Sequence, residues 1–116
     1  MKNILAAALS LFSALAVAQA PSGKWTGKGD ANMLDPSRCT PTMSFEFVVA
    51  DGKLTGKLDF GNRVQDIEAA VSPDGKFETS FINPKGDPVN VTGKLGDTLT
   101  VVNPKRCGYG NIPLKQ

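Results

Sequence analysis

Cys39 and Cys107 are the only thiols in this chain, and there is no histidine among its 116 residues. Together these facts narrow the chemistry. Two thiolates alone do not make a zinc site, which wants four ligands. Without imidazole there is neither a Ser-His-Asp nor a Cys-His arrangement and no ordinary general base. The eleven acidic residues fall mainly where the chain turns (Asp51, Asp74, Asp87, Asp97) or at outward strand positions (Glu46, Glu68, Glu78). A glycosidase would need two acids facing each other across a groove, and none are placed to do so. No glycine-rich phosphate loop opens a helix. The expectation is a protein that is not an enzyme, with no metal and no cofactor. The remaining candidates are basic. Arg38, Arg63, Lys85, Lys105 and Arg106 recur in connecting segments along the chain, and their meaning depends on whether the fold gathers them.

The elements that must gather them are strands. From Ser22 onward nothing has helical periodicity, and turn signals recur about every ten to twelve residues, the rhythm of an all-β sandwich or barrel. The clearest unit is Phe45 to Phe60. Phe45, Phe47 and Val49 alternate with polar residues, Asp51-Gly52 intervenes, and Leu54, Leu58 and Phe60 follow. An Asp-Gly pair accommodates the two positive φ angles of a type I′ hairpin, so 49 faces 54, 47 faces 56 and 45 faces 58. Gly61-Asn62 suits a type II′ turn and sets 58 against 65 and 54 against 69. Pro73-Asp74-Gly75 and Pro84-Lys85-Gly86 each suit a type I turn with a glycine in the left-handed region. These turns predict that 71 faces 77 and that 81 faces 89. Trp25 opens the first strand, Lys24 to Asp30, and the last two strands run from about Thr98 to Val102 and from Tyr109 to Leu114. Eight such strands joined in sequence predict an antiparallel up-and-down meander barrel, with a flattened β-sandwich as the alternative. Phe45, Phe47, Phe60, Phe77 and Phe81 all point inward with Trp25, so the interior is expected to be filled, with any cavity small and near one end. Gly56 beside Phe47 and Gly93 beside Phe77 leave bare backbone for the rings to lie on.

The first residues read differently. Lys2 followed by an apolar run from Ile4 to Val17 and small residues has the form of a secretory leader, 1–18, with cleavage after Ala20 as the alternative. The run is shorter than the roughly 20 residues a span needs, so no stable membrane anchor is expected. Residues 19–116 are then a single domain, secreted or periplasmic. A net charge of +2 is too small to argue for nucleic acid. Aromatics that face inward also offer no stacking surface.

Gly23-x-Trp25 followed by Ala50-Asp51-Gly52-Lys53-Leu54-Thr55-Gly56 resembles the opening of the avidin family and, more loosely, of lipocalin-like (calycin-like) barrels. Trp25-Thr26-Gly27, Cys39, Asp51-Gly52, Asp74-Gly75 and Cys107 together resemble a group of small secreted bacterial β-barrels. The resemblance implies a small β-barrel fold and, since fold does not imply function, no particular ligand. It does not imply biotin, because avidin-type sites are walled by several tryptophans and this chain has one.

In a meander the connections alternate between two ends. Segment 31–42, Gly61-Asn62, Pro84–Gly86 and segment 103–108 share one end; 51–52, 73–75 and 96–97 share the other. Both cysteines therefore fall at one end and are expected to bond to each other in an oxidising compartment. The five basic residues named above fall there too, against Asp35 and Asp87, with Gln65, Phe60 and Tyr109 nearby as a polar-apolar rim. The functional expectation is a non-enzymatic binding protein taking a small amphipathic or anionic ligand at the disulfide end. The alternative is a protein-binding module such as a hydrolase inhibitor, working through its loops.

Overall fold

The computed structural model describes residues 21–116; the expected leader lies outside them. Nine strands follow in order: β1 (Gly23–Asp30), β2 (Met33–Leu34), β3 (Thr42–Ala50), β4 (Lys53–Asp59), β5 (Val64–Ala70), β6 (Lys76–Ile82), β7 (Pro88–Lys94), β8 (Thr98–Asn103) and β9 (Cys107–Pro113). A single 3-10 turn, Pro36–Arg38, interrupts the connection after β2. The described residues are all-β, and every strand pairing among them is antiparallel.

Local turn chemistry sets the pairings as expected. Asp51 and Gly52 take φ 53° and 75°, and the hairpin pairs Val49 with Leu54, Phe47 with Gly56 and Phe45 with Leu58. Leu58 pairs with Gln65 and Leu54 with Ala69; Phe81 pairs with Val89 and Phe77 with Gly93. Gly75 and Gly86 sit at φ 90° and 86°, each donating its N–H back three residues, to Ser72 O at 2.8 Å and Asn83 O at 2.9 Å.

The closed barrel does not form. The strands make two sheets, ordered β1-β3-β4-β5 and β2-β9-β8-β7-β6, the arrangement of the sandwich alternative. Two local events open the ring. At β5 to β6 the turn closes as expected, with Ser72 N–H bonded to Lys76 O at 3.0 Å, but Val71 N–H turns back to Gly52 O at 2.9 Å. The chain stays with the first sheet one residue too long, and the expected 71–77, 69–79 and 67–81 ladder is absent among the described residues. At the other seam, β2 occupies the edge of β9 that the first strand would have used, pairing Met33 with Gly108 and Leu34 with Cys107. Thr26 and Lys115 make an isolated bridge there.

The two sheets are held by apolar contact. Phe47, fully buried, lies edge-on to Phe77 of the facing sheet with ring centroids 6.0 Å apart, and tilts against Phe45 at 4.8 Å. Trp25, Leu54, Leu58, Val91, Leu99 and Ile112 complete the centre. Phe60 and Phe81, expected in the core, are only half-buried and pack against its margin. Met43, Leu95, Val101 and Tyr109 are buried instead. The last pairing explains Tyr109. An extra residue in β9 sits opposite Leu99–Val101, with Asn111 at φ 55°. That bulge lets Tyr109 and Ile112, an odd spacing apart, face the same side.

Three stability changes are expected from the packing and the disulfide. Gly56→Ala would place a methyl against the Phe47 ring and 2.9 Å from Glu46 O, so urea denaturation should show a loss on the order of 1–3 kcal/mol. Gly61→Ala, which meets nothing within 4 Å, should cost only its left-handed φ, about 1 kcal/mol. Cys39 and Cys107 are bonded across 68 residues, and replacing both by serine should lower stability by roughly 3–5 kcal/mol.

Candidate functional site

The site begins with the connection 31–42, which is fastened to β9. Asn32 places its side chain on Gly110 as a strand would, donating Nδ2–H to Gly110 O at 2.9 Å and accepting from Gly110 N–H at 2.7 Å. Its own N–H bonds to Gly108 O at 2.9 Å, and Asp35 N–H reaches Arg106 O at 3.1 Å. The Tyr109 phenol donates to Thr40 O at 2.7 Å. Its only proton being committed there, the 2.8 Å contact with Thr40 Oγ1 has threonine as the donor. The Cys39–Cys107 disulfide completes the fastening.

Beneath this strap opens a cavity of about 340 Å³. Its apolar floor is Phe60, Phe81, Val89, Val101 and Tyr109 with the disulfide, and its rim carries Arg38, Arg63, Lys85, Arg106, Asn62, Asn83 and Asn103. The turns after β4, β6 and β8 thus meet the 31–42 connection at one end, as the meander required. The Phe60 and Tyr109 rings lie 6.0 Å apart, tilted by 45°. Arg63 lays its guanidinium 5.8 Å from the Phe81 ring centre, a favourable placement for a cation, and donates Nη2–H to Gln65 Oε1.

The expected site residues separate cleanly. Arg38, Arg63, Lys85, Arg106, Phe60 and Tyr109 all line the cavity, as do Cys39 and Cys107; Lys105 and Gln65 do not. Lys105 is exposed on the 103–106 turn, where only its backbone N–H is tied, to Asn103 Oδ1 at 3.0 Å. Gln65 acts one step removed, by holding Arg63. Sequence reasoning missed the three asparagines. Asn103 is a buried polar side chain that organises two turns at once, bonding Asp87 Oδ2 through Nδ2 at 3.1 Å as well as Lys105 N–H. Its position just before Pro104 marked a turn but not its burial.

Charge is distributed unevenly. The ion pairs among the described residues are Lys24–Glu46, Lys53–Glu68, Lys57–Asp66 and Lys76–Asp74, on the outer sheet faces or at the far end. The far-end turns are tied by hydroxyl and backbone as well: the Ser72 hydroxyl, then Lys76 N–H, hold Asp74 below the usual carboxylate range. Among the described residues, none of the four cavity cations takes part in an ion pair and no carboxylate lines the cavity.

Burial pushes the Tyr109 phenol above its usual value near 10, with the Thr40 hydroxyl opposing only in part. The folded state therefore keeps this proton where the unfolded chain has lost it, and stability must fall as pH rises above the ordinary phenol value of about 10. Tyr109 is the only tyrosine, so its ionisation can be followed by ultraviolet absorbance. The expected results are a titration displaced to high pH and an alkaline loss of stability that is smaller in Tyr109→Phe. A tyrosine titrating at its free value would mean that the phenol is not buried in solution as it is here.

Compared with known proteins, the chain matches no family model, no curated protein and no solved structure, so its own residues carry the functional argument.

Proposed function

We propose that this is a secreted or periplasmic binding protein, without catalytic activity, that takes a small amphipathic or anionic ligand at its disulfide end. The observation that carries the reading is the cavity wall, four cations and no carboxylate above a floor of aromatic and aliphatic side chains. A concave, largely apolar volume with a few placed polar groups is where small molecules bind. Like charges gathered at a low-dielectric mouth focus the field on an incoming anion. The Cys39–Cys107 bond supports an oxidising compartment.

A second reading, a protein-binding module, is favoured by one feature. Leu34, Val64 and Ile82 are 62, 53 and 64% exposed, and all three lie in or beside connections at the disulfide end. Leu34 is also held at φ 58°, a conformation that leucine adopts at a cost.

Charge reversal separates these readings. Parent binding of an anionic amphiphile such as decanoate, measured by titration calorimetry, should weaken with added salt, and Arg63→Glu with Arg106→Glu should abolish it. Leu34→Asp should leave that binding intact. If the double reversal binds decanoate as the parent does, the cavity is not the site.

A further inference from the structure

Hydrogen-bonding capacity within the cavity is one-sided. The four charged groups on its wall, Arg38, Arg63, Lys85 and Arg106, are donors with no acceptor function. Two of the neutral amides have their acceptor oxygens engaged by the protein itself. Asn83 Oδ1 takes the N–H of Lys85 at 3.0 Å and of Asp87 at 2.9 Å. Asn103 Oδ1 takes Lys105 N–H at 3.0 Å. The Asn103 amide nitrogen is committed to Asp87, a carboxylate that does not itself line the cavity. Tyr109 and Thr40 bond to each other. Asn62, at the tip of an exposed turn, is the one lining amide with no bond recorded among the described residues.

Arg63 is the best-prepared of the donors. Its guanidinium carries five N–H groups; Gln65 holds one nitrogen and the Phe81 ring supports the plane. The remaining edges can receive a planar two-oxygen anion as a pair of parallel bonds. The cost of ordering this long side chain is met before the ligand arrives.

Resting on the binding reading above, we infer that the cavity selects ligands whose polar group only accepts hydrogen bonds, an oxyanion of the carboxylate class on an apolar body, and discriminates against those that also donate. An ammonium would find no carboxylate on the wall. A sugar's hydroxyls, each a donor, would find few free acceptors. A buried group left without its partner costs enough to decide between such ligands.

The test holds the body constant and changes the head. 3-Phenylpropanoate, phenylalanine, 2-phenylethylamine and 3-phenylpropanol are titrated into isotopically labelled protein at millimolar concentration, and amide shifts at Phe60, Arg63, Phe81 and Tyr109 are followed. The expected result is saturable shifts with 3-phenylpropanoate, at least tenfold weaker binding of phenylalanine, and none with the amine or the alcohol. Gln65→Ala should weaken the carboxylate severalfold. Equal binding of all four at these residues would overturn the head-group selection and leave the cavity as a binding site. No shifts there with any of them would overturn both.

Discussion

The mouth of this molecule exists because the connection 31–42 is clamped to β9. Asn32 on Gly110, Asp35 on Arg106, Tyr109 on Thr40 and the disulfide from Cys39 to Cys107 fasten one strap at four places. A segment of that length with so little regular structure would otherwise be mobile. Clamped, it becomes a wall, and it brings Arg38 to the same cavity as Arg63, Lys85 and Arg106. The clamp has a structural consequence as well. By using the outer edge of β9 it leaves that edge closed to the first strand, so the fastening that makes the mouth also keeps the ring from closing there.

The interior obeys a different constraint, the matching of rings to bare backbone. Phe47 pairs with Gly56 and Phe77 with Gly93, and a methyl at either glycine would meet the ring or a neighbouring carbonyl. With those two phenylalanines crossing edge to face between the sheets, the centre is filled and rigid. Open volume is displaced to the end where Phe60 and Phe81 stop short of full burial. A cavity forms where the packing runs out, and the aromatic residues at that margin become its floor.

Electrostatics then gives the two ends different characters. Four lysines on the outer sheet faces or at the far end, Lys24, Lys53, Lys57 and Lys76, have carboxylates within reach, Lys57 and Asp66 at 2.8 Å, while among the described residues the mouth cations do not. Exposed ion pairs contribute little to stability, so their value here is as a contrast. A chain with a net charge of only +2 brings four unpaired cations together at one opening, and what they could do there is steer an anion.

How much of this was legible in the sequence follows from the range of the interactions. The hairpin registers were readable because each depends on a turn and its immediate neighbours. Asp51-Gly52, Gly61-Asn62 and Pro84-Lys85-Gly86 set φ angles locally, and period-two alternation then fixes which side chains share a face. The end at which each connection lies followed from the same count, and with it the disulfide and the basic cluster. Closure was not readable, because it turns on single hydrogen bonds between distant segments. Val71 N–H chooses Gly52, and Asn32 finds Gly110 across 78 positions. The β9 bulge that buries Tyr109, the half-exposure of Phe60 and Phe81, and the part played by Asn103 are likewise settled by how two sheets pack. No local propensity encodes where a filled core ends, since that depends on the summed volume of side chains from every strand at once.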